Sequence, residues 1–391
     1  MGASASGPLR VAIIGTRGLP PAYGGYETVA DYFVRHFVGK GHEVIVACEK
    51  PSSGDLPEFY RGAKLDYFPT KPPKRYSLRK IYEGLNDLFF YFRLARKCDV
   101  MYILAGLGTQ VLPLVKLLNP RLKIVTNNDG IEWKREKYNW LEKLLWKSFI
   151  RSSMRASHLI IHDNSKLQEH FPSIGKSRTI TAEYGVRTPN QAPWDPGKIE
   201  EIQKRVPGLA TIMPGEYFLV IARLQPDNHT HNIIRAFLAS DSEKNLVVVG
   251  GPSDSGYLDF LNLSVPPDQK NRVLLTGGIY EPEVVEMLRQ HCFTYVHGHS
   301  AGGTNPSLLE AMASGCVIIV HNNPFNIDVL ASDELSFSSE SELSQIINSI
   351  EGGLIDTTSI GKNNSSRASK RFTWERCFTK HKRAFNALAE N

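Results

Sequence analysis

The chain has 391 residues, 41% hydrophobic and 22% charged, with a formal net charge of +6. That length can hold two domains with full cores, and the composition is that of a soluble globular protein. No uninterrupted apolar run reaches the roughly 20 residues that span a bilayer. The five cysteines, Cys48, Cys98, Cys292, Cys316 and Cys377, are odd in number and include no Cys-x-x-Cys pair. They argue for reduced, mostly buried thiols in a cytosolic protein rather than a disulfide or metal framework.

Residues 1–8 are small and polar and lack the apolar stretch of a signal peptide, which predicts a disordered N-terminus or an expression scar. Leu9 to Gly15 predicts a short strand, residues 16–25 a turn-rich loop, and Tyr26 to Val38 a helix that Gly39 and Gly41 end. His42 to Ala47 alternates like the next strand. Strand, loop, helix, strand is how a Rossmann-like domain opens. The loop lacks a Gly-x-Gly-x-x-Gly spacing, which counts against a dinucleotide oxidoreductase. Lys71 to Lys97 is basic and aromatic. Val100 to Leu104 and Lys123 to Thr126 predict strands, with a helix from Thr109 to Leu118 between them. Asn127 to Arg135 then follows the carboxyl end of a strand, where open parallel sheets bind ligands. There Asp129, next to Gly130, is an acid/base or hydroxyl-binding carboxylate, the cap of a helix starting at Ile131, or both.

That helix is expected to run to about Arg155. It carries Trp133, Trp140 and Trp146 among Lys143, Lys147 and Arg151. The mixture suits an anionic lipid surface or a core helix with a solvated basic face. Nucleic acid fits less well, because no recognised binding module accompanies the basic residues. His158 to His162 predicts a strand ending in Asp163-Asn164-Ser165, which lines a cleft or caps the next helix. Arg178 to Ala182 is a further strand. Residues 188–196, rich in proline and polar side chains, read as an interdomain linker. A second alternation follows, with strands at Tyr217–Ala222, Leu246–Val249, Val273–Leu275, Phe293–Val296 and Val317–Val320. Helices are expected at Ile233–Ala239, Glu283–Gln290 and Leu308–Ala313, and a terminal amphipathic helix at Thr373–Ala389. Between Phe293–Val296 and Leu308–Ala313 lies a glycine-rich loop that runs into a helix start. The N–H groups there favour an anion, and glycines let backbone approach a phosphate. Pro306 sits where a first-turn proline is tolerated.

The particular residues go further. Gly302-Gly303-Thr304-Asn305-Pro306-Ser307-Leu308-Leu309-Glu310-Ala311-Met312-Ala313 and Asp129-Gly130-Ile131-Glu132-Trp133-Lys134-Arg135 resemble motifs of the retaining glycosyltransferases of the GT-B fold, family four. Within that family they look like the rhamnosyltransferase-like branch, the DUF1972 type. The resemblance covers nearly the whole chain from Leu9 onwards. It implies an α/β architecture of two Rossmann-like domains with a cleft between them. The expected divisions are an acceptor domain at 9–187, a linker at 188–215, a donor-nucleotide domain at 216–372 and a helix at 373–391 returning to the first domain.

The resemblance also assigns roles. Glu310 would bind the donor ribose, while Gly303, Thr304, Asn305, Ser307 and Leu308 would face its diphosphate. Gly24 and Gly25, ahead of Glu27, resemble the first-domain loop whose amides face the donor phosphate; a tight turn is the plain alternative. Arg223, in Arg223-Leu224-Gln225-Pro226, matches the arginine of a diphosphate-holding Arg-Leu-x-Pro-x-Lys. Asn228 stands at the lysine position and departs from the pattern. It can still donate to phosphate, while His229 or His231 would supply the missing charge or simply cap a helix. A second departure is Gly302, where the family commonly has another glutamate. Asp129 falls where many relatives have an active-site histidine, and Glu132, Arg135 and Asp163 are acceptor-side candidates.

No Asp-x-Asp occurs in the chain, so catalysis is expected to need neither metal nor cofactor, with Asp129 and Arg223 as the catalytic residues. The expected reaction is retaining transfer of L-rhamnose from dTDP-L-rhamnose to a lipid-diphosphate-linked saccharide in bacterial polysaccharide biosynthesis. The expected place is the cytoplasmic face of the cell membrane, with segments 71–97 and 133–155 on anionic lipid and no nucleic-acid partner. The alternatives are a UDP- or GDP-sugar donor on the same fold, and a non-catalytic nucleotide- or sugar-binding module suggested by Gly302 and Asn228.

Overall fold

Short, almost wholly apolar runs alternate with amphipathic helices along most of the chain, and that alternation builds parallel sheets covered on both faces. The computed structural model describes residues 7–21, 25–51, 54–73, 75–104, 107–128, 130–135, 138–171, 178–206, 209, 211–251 and 255–389. They group into two units: 1–133 with 138–184 and 374–391, and 134–137 with 185–373.

The first unit contains β1 (Arg10–Ile14), α1 (Gly25–Gly39), β2 (Glu43–Cys48), β3 (Phe59–Tyr60), β4 (Ala63–Tyr67), α2 (Tyr76–Leu94) and β5 (Val100–Leu104). It continues with α3 (Leu112–Leu118), β6 (Lys123–Asn128), α4 (Trp140–Ala156), β7 (Leu159–His162) and β8 (Thr179–Thr181). The strand order is β3-β4-β2-β1-β5-β6-β7-β8, parallel except for the β3/β4 pair. β5 is buried along its whole length, as a central parallel strand must be. The second unit holds α5 (Pro196–Gln203), β9 (Tyr217–Ile221), α6 (Thr230–Leu238), β10 (Asn245–Val249), α7 (Ser255–Ser264), β11 (Val273–Gly277) and α8 (Pro282–His291). Then come β12 (Thr294–His297), α9 (Pro306–Ala313), β13 (Ile318–His321), α10 (Pro324–Leu330), β14 (Ser336–Phe337), α11 (Glu340–Glu351) and α12 (Thr357–Arg371). Its sheet is parallel in the order β11-β10-β9-β12-β13-β14.

The final helix, α13 (Trp374–Ala389), belongs to the first unit. Its aromatic side chains mesh with those of α1. Trp374 stacks on Tyr32 at 3.9 Å, Phe378 on His36 at 4.3 Å, and Phe385 on Phe37 at 5.3 Å. Beneath them a polar chain runs through the core. Asn127 Nδ2 donates to the Tyr102 hydroxyl at 3.2 Å, and that hydroxyl lies 3.2 Å from His381 Nε2. His381 Nδ1 lies 2.8 Å from the Cys377 carbonyl. The arrangement needs the neutral ring with its proton on Nδ1. Burial pushes the His381 pKa down to about 4, with His36 and Lys380 adding to the effect.

That histidine makes the fold acid-sensitive. Its folded pKa lies below the unfolded value near 6.5, so between those values the unfolded chain binds the extra proton and stability falls as pH falls. Loss of about 3 kcal/mol from this one group is expected between pH 6.5 and pH 4. Urea melts across that range measure it, and His381→Gln should flatten the slope; an unchanged slope would remove His381 from the account.

Three sequence expectations change. The helix expected from Ile131 to Arg155 is two elements: a 3-10 turn at Glu132–Lys134 and then α4 from Trp140. A fresh start is set by a capping box, in which Asn139 Oδ1 accepts from the Glu142 N–H and Glu142 accepts from the Asn139 N–H. The stretch read as a linker at 188–215 holds α5, capped by Asp195, and packs on α8. Gln290 Oε1 accepts from the Ala192 N–H at 2.9 Å, and His291 Nε2 lies 2.9 Å from the Ala192 carbonyl. In the basic-aromatic segment 71–97, Tyr82, Phe90 and Tyr91 are core residues, while Arg79 and Arg93 pair with Glu49 and Asp66.

Candidate functional site

In each sheet the strand order reverses direction at one point, and there two carboxyl ends release loops to opposite sides. In the second unit that point is β9/β12. Open α/β sheets bind ligands outside such a crevice. From β9 the chain enters Ala222-Arg223-Leu224-Gln225 and a 3-10 turn at Pro226–Asn228. From β12 it enters the glycine loop and α9.

The two loops are bound to each other. Asn228 is buried, and its Nδ2 donates to the Arg223 carbonyl at 2.6 Å. Its Oδ1 lies 2.6 Å from His299 Nδ1. The Ser300 N–H and hydroxyl both donate to the Asp227 carbonyl, at 3.1 and 3.0 Å. From the far side, Asn323 and Asn326 each donate to the His299 carbonyl at 3.0 Å. Gly298 permits the close approach, since a Cβ there would collide with the Asn228 carbonyl. Gly302 has φ of +142°, a conformation that L side chains rarely adopt. A glutamate at 302 would be strained in that backbone.

At the helix start, Asn305 caps α9 by accepting from the Ser307 N–H at 2.9 Å, with Pro306 in the first turn. The Leu308 N–H is taken by the Asn305 carbonyl at 3.1 Å, and the Leu308 side chain is fully buried. The Ser307 hydroxyl turns back onto β9, donating to the Ile221 carbonyl at 3.0 Å and lying 2.5 Å from the Tyr295 hydroxyl. Two side chains expected to reach phosphate are engaged within the protein: Asn228 ties the two loops through His299, and Ser307 ties the start of α9 to β9. Gly303 and Thr304 are buried within the loop, and Arg223 is exposed at its rim.

Glu310, one turn into α9, pairs with Arg289 of α8. Arg289 is only 7% exposed and also lies 3.4 Å from Glu286. Burial disfavours its charge, but the carboxylates of Glu310 and Glu286 outweigh that and hold its pKa above the ordinary arginine value. The geometry thus aims Glu310 from a buried cation. Two deeper histidines, at the ends of β12 and β13, are uncharged near neutral pH. Burial pushes His297 down to about 3, and burial together with the adjacent His229 pushes His321 down to about 4. The His229 ring stacks on His321 at 4.5 Å, and His231 Nδ1 lies 2.9 Å from the Tyr257 hydroxyl.

In the first unit the reversal lies at β1/β5. A Cβ on Gly15 would strike the Leu104 carbonyl, so the loop after β1 leaves tightly against β5. Glu27, buried, accepts from the Arg17 N–H at 2.9 Å and fastens that loop to the first turn of α1. Gly25 opens α1, and Gly24 lies outside the described residues. Asn128 of β6 pairs with His162 of β7, so the segments after the two strands leave the same edge side by side. Asp129 lies outside the described residues; Asp163 is 1% exposed. The cap of the following turn is Asn164, which accepts from the Lys166 N–H at 2.9 Å. Glu132 opens the short 3-10 turn, and Arg135 follows it half-buried.

Sequence reasoning missed Arg289, Asn323, Asn326 and Asp87. The first and last are single charges on amphipathic helices, indistinguishable from surface residues without the fold. Asp87 is buried on α2, which raises its pKa to about 7 against the opposing hydrogen bond from the Leu107 N–H. Asn323 did carry a signal, an Asn immediately before the Pro324-led start of α10, while Asn326 lies inside that helix.

Residues 9–187 match the domain of unknown function DUF1972, and residues 207–364 match the glycosyl transferases group 1 domain. No curated protein matches the chain by sequence. Among solved structures, Anabaena Alr3699/HepE in complex with UDP aligns at 17% identity and a TM-score of 0.70, covering 97% of this chain and 100% of its own. Sucrose-phosphate synthase from Thermosynechococcus elongatus aligns at 15% identity and 0.73, covering 97% and 99%. A glycosyltransferase from Rickettsia africae aligns at 12% identity and 0.73, covering 99% and 100%.

Proposed function

We propose that this chain, whose fold is GT-B and whose second unit matches a group 1 glycosyltransferase domain, is a retaining glycosyltransferase that uses a nucleotide-sugar donor. The observation that carries the reading is the lashing of two loops at the β9/β12 reversal. It sets the loop that carries Arg223 against the loop that leads into a helix start, where Arg289 steadies Glu310. A diphosphate leaving group needs such a site: a cation and aligned N–H dipoles set in place before charge develops. Glu310 would hold the ribose. A diphosphate oxygen leaving on the face that the acceptor enters would help take the acceptor proton, and Asp129 would orient sugar hydroxyls.

The proposed donor is dTDP-L-rhamnose and the proposed acceptor a lipid-diphosphate-linked saccharide at the inner membrane face, in bacterial polysaccharide assembly. The support is the Asp129-to-Arg135 signature and the glycine at 302. A UDP-sugar donor is the second reading, favoured by the Anabaena protein's complexes with UDP and UDP-glucose. Calorimetric titration with dTDP, UDP and GDP separates them: dTDP binding about tenfold tighter than the others is expected, a difference of about 1.4 kcal/mol. Clear preference for UDP or GDP overturns the rhamnose donor. A donor screen on a synthetic lipid-diphosphate-GlcNAc acceptor, read by mass spectrometry, then tests turnover. Nucleotide binding without any transfer would favour a non-catalytic module.

A further inference from the structure

The helices α2, α3 and α4 follow successive crossovers β4 to β5, β5 to β6 and β6 to β7, all in one direction across the first sheet. Right-handed connections therefore place the three on one face. Their inner sides are satisfied: Phe90, Tyr91 and Leu94 of α2, Leu112 and Val115 of α3, and Ala156 of α4 share one core cluster. Their outer sides are apolar as well. Of the eighteen exposed large apolar side chains among the described residues, eleven lie on these three helices. A surface helix ordinarily needs one apolar stripe. Here α2 has a second, through Leu78, Ile81 and Leu85, and Ile81 is 61% exposed. On α3, Leu117 is 76% exposed, and on α4, Trp140 is 77% exposed. The buried residues of α4 are confined to its last turn, so its first turns present leucine and tryptophan to solvent. A gathered patch of this kind marks a partner surface, whereas single exposed leucines do not.

Charge selects the partner. The acidic residues on α2 and α4 are Glu83, Asp87 and Glu142. Glu83 pairs with Arg79, Glu142 pairs with Lys80, and Asp87 is buried. Lys147, Arg151 and Arg155 of α4, and Arg96 and Lys97 beyond α2, are exposed. A second copy of the same face would set these cations against one another. An anionic bilayer satisfies both features, because apolar side chains enter the acyl boundary while each cation near the surface adds about 1 kcal/mol. Along the outer side of α2, Leu85, Leu88, Phe89 and Phe92 line an open groove of about 700 Å³ with Arg93 and Lys97 beside it.

We infer that the outer face of the α2–α3–α4 layer docks on an anionic lipid bilayer. The inference rests on the proposed lipid-linked acceptor for its purpose, while its physics stands on this face alone. The test is co-sedimentation of the full chain with vesicles at physiological salt, comparing phosphatidylcholine alone with phosphatidylcholine containing phosphatidylglycerol. Binding at least about tenfold stronger to the anionic vesicles is expected. It should fall by about tenfold or more in Ile81→Glu/Leu144→Glu and in Lys147→Glu/Arg151→Glu. These positions are exposed, and circular dichroism melts should show parental stability; Leu117→Glu serves if one variant misfolds. Equal partition into both vesicles, or variants that bind like the parent, overturns the inference. So does a parental dimer that the apolar variants dissolve. Neither nucleotide nor acceptor enters the assay, so failure of the donor reading leaves its result intact.

Discussion

Arg223→Ala is expected to lower kcat by about 10²–10³ while leaving the melting temperature near that of the parent chain. Arg223 is exposed at the end of β9, so its removal opens no cavity. The loop keeps its shape because Asn228 is bound to the Arg223 backbone carbonyl rather than to the guanidinium. On the proposed reading, what disappears is a cation that would face the diphosphate as its charge grows during transfer. Turnover at saturating donor, read by mass spectrometry, checks the size of the effect. A rise in KM with kcat unchanged would mean that Arg223 only binds the ground state. Turnover equal to the parent would remove it from the site. Arg223→Lys should recover part of the loss, since an ammonium keeps the charge but not the planar fork.

Glu310→Ala is expected to reduce both transfer and stability, because it strands the buried Arg289. Removing one partner of a fully buried pair costs about 3–5 kcal/mol; Glu310 is 43% exposed and Glu286 stays 3.4 Å from Arg289, so the loss should fall below that range. The informative variant is Glu310→Ala/Arg289→Met, which takes both charges away and fills the space with an apolar side chain. Denaturant melts should then return most of the stability, while nucleotide affinity and turnover stay low. Recovery of transfer in the double variant would reduce Glu310 to a structural partner of Arg289.

These two side chains show where local reading ends. Glu310 and Arg223 stand out in sequence because each sits in a short run that resembles a family motif, one at a glycine turn entering a helix and one in a polar loop leaving an apolar strand. The strands themselves were as legible, since the buried runs at β5, β9 and β12 leave little choice at their length. The break before α4 was legible too, in Asn139 and Glu142, but the continuous amphipathic pattern on either side concealed it. Arg289 was not. Its partner lies 21 residues away, and only the placement of α8 beside α9 turns an ordinary helical arginine into the buried partner of Glu310.

Asn228 and Ser307 carried their chemistry in plain sight as hydrogen-bonding side chains, yet their direction came from the sheet order that sets β9 next to β12. The outer stripe of α2 behaves the same way. Nothing local marks its leucines as exposed, and only the finished layer shows that the core is already filled by Phe90 and Tyr91. Sequence alone determined the α/β alternation, the glycine turn and the helix that follows it, because period, caps and backbone freedom act over a few residues. Tertiary structure decided which polar groups stay exposed at the loop ends and which face each other. That choice depends on neighbours brought together from distant parts of the chain, and no local rule contains them.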